Sequence, residues 1–342
     1  MLKTCKSLIL LLCCALAAPM AMASELLRAD HPDRYTVVRG DTLWDISGRF
    51  LRSPWLWPEI WHVNPQIANP HLIYPGDVLE LVYIDGRPRL QLRRGTVKLS
   101  PTVRSTPWDG AIPTIPVDAI APFLTRPYVI GKDELESAPY VVDFADEHIL
   151  GGAGQRAYVR SIDSDAHLKF EIVRPGGPYK DGETGEILGY EARYIGSAKL
   201  QRTGDPATIF LNATELESVI GDRLLAAGED RATANFTPHA PPMPVEGTII
   251  SVFNGVSQIG THNVVVIDRG EADGLKPGTV LRIDQRGETI RDVVSTNLRE
   301  TVRLPDEQAG LLMVFRTFDR VSFGLVMHAT RAMHIDDKVR NP

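Results

Sequence analysis

The chain reads YTVVRGDTLWDISGRF from Tyr35 to Phe50 and LWPEIWHVNPQIANPHLIYPGDVLEL over residues 56–81. Two β-favouring runs, YTVV near the start and DVLELV near the end, predict strands. Residues 33–82 are therefore predicted to form strand, helix, helix and strand, with the two strands paired under a helical layer. The helices are predicted from apolar side chains at helical spacing, namely Leu43, Ile46 and Phe50, then Trp57, Ile60 and Trp61.

Two residues mark where these helices are expected to begin. Asp41 directly precedes the first helix, so its carboxylate is predicted to accept hydrogen bonds from backbone N–H groups of the first turn. Pro58 suits the first position of the second helix, where a missing N–H group costs no intrahelical hydrogen bond. Among the tryptophans of this stretch, we expect Trp44 and Trp61 in the core and Trp55 at the surface.

The same segment resembles the LysM family, whose members are small carbohydrate-binding modules of peptidoglycan- and chitin-binding proteins. The resemblance extends over almost the whole segment and implies a βααβ fold for residues 33–82. The sequence departs from the family mainly in the insert SPWLWP at residues 53–58. The positions that carry the resemblance are Tyr35, Val37, Gly40, Asp41, Thr42, Leu43, Ile46, Asn64, Asn69, Pro70, Ile73, Pro75, Gly76 and Leu79.

The resemblance also implies a ligand and a site. In this family, N-acetylglucosamine units of a glycan strand lie in a shallow groove between the first strand–helix loop and the loop after the second helix. Because the sugar is neutral, backbone groups can bond its amide and apolar side chains can contact its methyl group without a metal, cofactor or charge. One such site is expected to bind weakly, with about −4 to −8 kcal/mol. The predicted ligand-binding residues are Gly40, Asp41, Thr42, Leu43, Asn69, Pro70, His71, Leu72 and Ile73.

The first 23 residues have the pattern of a cleaved secretory signal peptide. Two lysines precede a twelve-residue apolar run, and Ala21-Met22-Ala23 provides a small-residue cleavage pattern. Removal of residues 1–23 would take away all three cysteines and two lysines, leaving 319 residues and changing the net charge from −6 to −8. We therefore expect a periplasmic protein without disulfides, whose negative charge gives no electrostatic basis for binding nucleic acid.

The remaining chain is predicted to be mostly β, which gives an α+β fold class overall. Residues 83–123 are rich in proline and arginine and are predicted to form a connector. Residues 124–235 and 246–342 contain short β-favouring runs between turn signals, and each is predicted to form a mostly-β domain. A proline cluster at residues 236–245 is predicted to link these two domains. A short helix is also expected within residues 215–225.

The two β domains show a weak internal similarity. GSAKLQRTGDPATIFL, followed by IGDRLL, ends at residue 225, and GLLMVFRTFDRVSFGL, followed by IDDKVR, ends at residue 340. The two segments share a glycine, a threonine and an aspartate at one offset, and a shift of one residue aligns their ends. This pattern indicates either two small barrel-like units built to one plan or a match that arises from composition alone.

Resemblance to two further families concerns the rest of the chain. GTHNVVVIDRGEADGLKPGTVLRI at residues 260–283 is similar to the C-terminal domain of flagellar T-ring proteins. The whole arrangement resembles the secretin-associated (TsaP) family of the type IV pilus. That resemblance implies that the LysM module ties the outer-membrane secretin to peptidoglycan, while the β domains dock on the secretin and on sibling copies around it.

Catalytic patterns are not evident in the sequence. The nine histidines lack metal-ligand spacings such as HExxH, and removal of the signal segment would leave no cysteine nucleophile. GGAGQR at residues 151–156 is typical of a β-turn rather than of a phosphate-binding loop. We therefore expect a protein that is not an enzyme, with no catalytic residues. Two alternatives stay open: a wall anchor of another envelope machine such as the flagellum, or an accessory of a peptidoglycan-remodelling enzyme.

Overall fold

The computed structural model describes residues 26–61, 72–93, 111–124, 129–162, 167–227, 236–253, 258–294 and 299–342. They fall into two compact units. The first unit comprises the described residues of Met1–Val117 and Ala234–His239, and the second unit those of Asp118–Thr233 and Ala240–Pro342. The predicted α+β class is confirmed. Within these ranges, no helix has both the length and the apolar character that a membrane crossing requires.

The first unit places two short helices beside a small antiparallel sheet. The order β1-β2-β3 brings Tyr35 opposite Leu79, as the predicted pairing of the first and last strands requires. Apolar side chains of both helices pack with Leu79 into one buried core. The helices are α1 (Leu43–Phe50) and α2 (Trp57–Ile60), a 3-10 turn at Pro54–Leu56 precedes α2, and the strands are β1 (Arg34–Thr36), β2 (Val78–Ile84) and β3 (Arg87–Arg93).

The third strand of this sheet was not predicted, because it lies in the expected connector at residues 83–123. Asp85 and Gly86, both with positive φ, form the two-residue turn that leads from β2 into β3. Leu90 and Leu92 alternate inward and are buried in the core of the first unit. Burial of these two side chains favours an ordered strand over a solvated connector, so the module extends beyond residue 82.

The second unit is built almost entirely from strands. Its helices are α3 (Val117–Leu124) and α4 (Lys132–Ser137). Its first seven strands are β4 (Val129–Ile130), β5 (Tyr140–Phe144), β6 (Arg156–Arg160), β7 (Lys169–Lys180), β8 (Ile187–Arg202), β9 (Ala207–Thr214) and β10 (Arg223–Ala226). The others are β11 (Glu246–Val252), β12 (Val264–Ile267), β13 (Val280–Gln285), β14 (Thr289–Arg291), β15 (Thr301–Arg303), β16 (Glu307–Thr317), β17 (Ser322–Ala329) and β18 (Lys338–Arg340).

These strands form two closed rings with the same connectivity. In the first ring the order is β5-β6-β9-β8-β7-β10, with β4 added beside β8. In the second ring, a closed barrel, the order is β11-β12-β17-β16-β13-β18. The two rings correspond strand by strand in chain order. The strands β5, β6, β7, β8, β9 and β10 of the first ring match β11, β12, β13, β16, β17 and β18 of the second. The hairpin β14–β15 is an addition between β13 and β16.

The two rings also share their strand register. Gly196 lies opposite Thr214 in the first ring as Gly310 lies opposite Ala329 in the second, and the bulges that follow fall at equivalent positions. A Cβ atom on either glycine would lie 2.3 Å from a backbone carbonyl oxygen of the neighbouring strand. The close approach of the neighbouring strand therefore explains why both positions need a glycine. The internal similarity of the sequence reflects a repeated β unit rather than a coincidence of composition.

A buried aspartate holds the turn before the last strand of each ring. The carboxylate of Asp222 accepts a hydrogen bond from the backbone N–H of Val219 at 2.8 Å, and that of Asp337 accepts one from His334 at 2.8 Å. This turn and β10 occupy residues 215–225, so the short helix predicted there is wrong. The aspartate stabilises the turn by bonding the backbone three residues earlier, which competes with helix formation.

Two predicted domain boundaries differ from the structure. The boundary between residues 123 and 124 falls inside α3, and the ring of Phe123 lies 4.7 Å from the ring of Phe253 in the barrel. The predicted linker at residues 236–245 is held at both ends, because Phe236 and Val245 are buried. Apolar side chains within proline-rich segments account for both differences.

A turn of the first ring packs against the barrel. At the end of the β7–β8 hairpin, Gly182 donates a backbone hydrogen bond to Asp268 at 3.0 Å, and Asp181 pairs with Arg269 at 3.2 Å. Backbone hydrogen bonds, above all that from Thr184, lower the pKa of Asp181 to about 2. The two rings are therefore joined by a polar contact between buried or half-buried groups.

We predict that Gly196→Ala and Gly310→Ala each lower the free energy of unfolding by about 1–3 kcal/mol, because the added methyl group would collide with a strand carbonyl. Urea denaturation of the full chain measures this effect. Gly177→Ala is the matched control, since its Cβ would meet no atom within 4 Å. A Gly196 variant as stable as this control would contradict the close approach of the strands.

Candidate functional site

The first of the two loops predicted to hold the ligand contains residues 38–43. Asp41 is buried, and its Oδ2 accepts hydrogen bonds from the Tyr35 hydroxyl at 2.9 Å and from the Val38 N–H at 2.9 Å. Burial, together with the hydrogen bond to Asp41, raises the pKa of Tyr35. Gly40 has a φ of +93°, which a residue with a side chain rarely adopts. Asp41 therefore fixes the shape of this loop.

The predicted capping role of Asp41 is wrong, because Thr42 caps α1 instead. Thr42 has an extended backbone, and its Oγ1 accepts a hydrogen bond from the Asp45 N–H at 3.1 Å. The same hydroxyl donates to the Asp45 carboxylate at 2.7 Å. A threonine at this position and an acidic residue in the first turn both favour the helix start.

The second loop is described from Leu72 onward, and the predicted residues Asn69, Pro70 and His71 lie outside the described part of the chain. Backbone hydrogen bonds tie this loop to the end of β1: Gly76 donates to Val37 at 2.8 Å, and Val37 donates to Asp77 at 2.9 Å. The side chain of Leu72 is 41% exposed, whereas that of Ile73 is buried.

Residues 112–115, which we call the strap, lie between the two loops. The carbonyl oxygen of Pro113 accepts a hydrogen bond from the Leu43 N–H at 3.0 Å, and that of Thr114 accepts one from the Trp44 N–H at 3.1 Å. The strap reaches the second loop as well, because the Ile112 N–H donates to the Ile73 carbonyl at 2.8 Å. Its backbone thus bridges the two loops that are predicted to hold the ligand.

The strap changes the accessibility of the predicted site. Thr42, Leu43 and Ile73 are buried, and Leu43 is only 1% exposed. Leu43 therefore belongs to the core of the first unit, while Gly40 and Leu72 remain at the surface. The structure brings the described members of both loops together, but the Leu43 N–H and the Ile73 carbonyl are already hydrogen-bonded to the strap.

Sequence reasoning missed the strap because it lies about 70 residues after the start of α1, in a proline-rich stretch. The available signal was the pair Ile112 and Ile115, two apolar residues among prolines, and both are buried. Trp44 is buried, as predicted. Trp55, which was expected at the surface, is half-buried. Trp61, expected in the core, is half-buried at its edge.

The described residues contain no group of three or more histidine, cysteine, aspartate or glutamate side chains arranged to hold a metal ion. Where the strap contacts them, the two loops present backbone donors and acceptors beside apolar side chains. Such a surface can bond an amide and contact a methyl group, which are the groups that a neutral acetamido sugar presents.

Comparison with known proteins identifies this module. Residues 35–81 match the LysM domain family. Over 60 residues, the chain is 40% identical to the uncharacterized protein YqbP of Bacillus subtilis (strain 168). That match covers 15% of this chain and 27% of YqbP, so the chain spans about a quarter of the relative's length. Residues 35–81 are thus a LysM domain, a binding domain of peptidoglycan and related carbohydrates.

We predict that Asp41→Ala destabilises the LysM domain by about 1–3 kcal/mol, because it leaves the Val38 N–H and the Tyr35 hydroxyl without their acceptor. Tyr35→Phe should cost less, about 1 kcal/mol, because the Val38 hydrogen bond remains. Tryptophan fluorescence during urea unfolding reports on this domain, since four of the five tryptophans lie in residues 33–82. Equal costs for the two variants would argue against a loop held by Asp41.

Proposed function

We propose that this chain is an exported structural protein that holds peptidoglycan glycan strands in the periplasm through its LysM domain. The observation that carries the proposal is the LysM match at residues 35–81, together with two loops brought side by side at the start of α1. The signal-peptide pattern of residues 1–23 supports export. No catalytic role is needed, because a binding domain retains its ligand without chemistry.

The chemistry of the loops fits a glycan strand. N-acetylglucosamine carries an acetamido group whose oxygen can accept hydrogen bonds from backbone N–H groups at the start of a helix. Its methyl group can contact an apolar side chain, and Leu72 is an exposed apolar residue in the described part of the second loop. An exported protein of net charge −8 can bind this neutral part of peptidoglycan without electrostatic attraction.

We predict that Leu72→Asp lowers retention on purified sacculi roughly five- to tenfold, or about 1–1.4 kcal/mol, by removing an apolar contact. The measurement is a pull-down of the full chain with increasing amounts of sacculi. Tyr83→Ser is the matched control, because Tyr83 is 60% exposed and lies near the far end of β2 from this loop. A wild-type chain that stays in the supernatant would exclude wall binding.

We further propose that the wall-bound protein anchors the outer-membrane secretin of the type IV pilus, as the resemblance to the secretin-associated family implies. The two rings of the second unit supply surface for docking on the secretin and on sibling copies. One candidate surface is the β14–β15 hairpin, whose Val293 and Val294 are 86% and 88% exposed. Exposed neighbouring apolar side chains of this kind are typical of protein interaction sites.

For this anchoring role, we predict that a strain lacking the protein assembles secretin rings that separate from the wall, because their link to peptidoglycan is lost. Cryo-tomography of cells and co-purification of the secretin with sacculi measure the effect. A Val293→Asp, Val294→Asp chain should still bind sacculi but no longer retain the secretin. Unchanged rings in the deletion strain would exclude the secretin role. Co-purification of flagellar proteins or of a wall hydrolase would favour one of the alternative partners.

A further inference from the structure

The strap satisfies the same groups that a sugar would need in the groove. The N–H groups of Leu43 and Trp44 open α1, and they donate to carbonyl oxygens of the strap at 3.0 and 3.1 Å. On the other side, the Ile73 carbonyl accepts from the Ile112 N–H at 2.8 Å. An acetamido group presents one carbonyl oxygen and one N–H, so it offers the same pair of functions as a peptide segment.

The strap also covers the apolar floor between the loops. Ile112 is 6% exposed and belongs to the same buried cluster as Leu43 and Ile73. Thr114 and Ile115 are buried as well. A methyl group of a sugar could reach these side chains only where the strap has moved away, because close-packed side chains leave no room for a second occupant.

We propose that the strap occupies the sugar groove of the free protein and that a glycan strand binds by displacing it. This inference rests on the proposed function, because it concerns the regulation of the same site. The protein exchanges between a closed state, with residues 112–115 in the groove, and an open state that binds the acetamido group. The measured affinity is then the intrinsic affinity multiplied by the fraction of open molecules.

One feature of the strap weakens its hold on the groove. The hydroxyl of Thr114 is buried and has no hydrogen-bond partner among the described residues. A buried hydroxyl without a partner loses its hydrogen bonds to water and gains none in return. Pro113 carries no N–H group, which also reduces the number of hydrogen bonds that the strap can donate. Release of the strap therefore restores the solvation of the Thr114 hydroxyl.

The experiment compares two strap variants of opposite expected effect in the full chain. Ile112→Asp places a charge where Ile112 is buried, so it favours the open state and should tighten binding at least about tenfold. Thr114→Val replaces the unpartnered hydroxyl by a methyl group, so it favours the closed state and should weaken binding roughly three- to tenfold. The probes are an N-acetylglucosamine hexamer, measured by calorimetry, and purified sacculi, measured by pull-down.

Leu92→Ala is the matched control for general destabilisation. Leu92 is 7% exposed and lies in the same core cluster as Ile112, but it belongs to β3 rather than to the strap. This variant should not bind the hexamer more tightly than the wild type. Circular dichroism and tryptophan fluorescence identify any variant that fails to fold.

Amide hydrogen exchange of the wild type provides a test that needs no substitution. In the free protein the Ile112 and Leu43 amides should be protected, and saturating hexamer should remove protection from Ile112 while it preserves that of Leu43. Equal affinities for the wild type, Ile112→Asp and Thr114→Val, with Ile112 still protected in the complex, would overturn the strap proposal and leave wall binding intact. If neither the wild type nor Ile112→Asp binds either probe, both proposals fail together.

Discussion

The backbone donors at the start of α1 are the constraint around which the LysM domain is organised. The first N–H groups of a helix have no partner within it, so other groups must accept their hydrogen bonds. Thr42 accepts from Asp45, and the strap accepts from Leu43 and Trp44. A ligand that displaced the strap would have to accept the hydrogen bonds of the Leu43 and Trp44 N–H groups in its place. On the proposed displacement, a ligand with a carbonyl-like oxygen would suit this position.

In the second unit, the main constraint is that the strands close into rings. A closed ring gives each of its six strands a neighbour on both sides, which covers edges through which sheets can associate with other chains. Both rings achieve closure with the same register, including a glycine that admits a strand carbonyl at equivalent places. Within the described residues, the two rings contact each other through a hairpin turn and its side chains. The β7–β8 turn uses Asp181 in this way within the chain.

Local periodicity predicted β1, α1 and β2, whereas contacts that form only in the folded chain escaped prediction. Asp41 has the residue type of a helix cap, but its carboxylate is engaged by the Tyr35 hydroxyl and the Val38 N–H, a contact that only the folded loop creates. The strap and β3 share the proline- and arginine-rich composition of a solvated connector. Their burial depends on where Ile112 and Leu90 meet the core, which composition does not encode.

A covered groove has a consequence for how a protein with one weak LysM site could stay on the wall. If the strap lowers the fraction of open molecules, a single copy binds even less tightly than the open groove would. Once one copy in an assembly has engaged a glycan strand, its neighbours meet the wall at a high effective concentration, which favours displacement of their straps. Retention would then rise steeply with the number of copies, so that assembled protein remains on peptidoglycan while isolated molecules diffuse. If copies assemble as proposed, the strap would in this way couple wall binding to assembly.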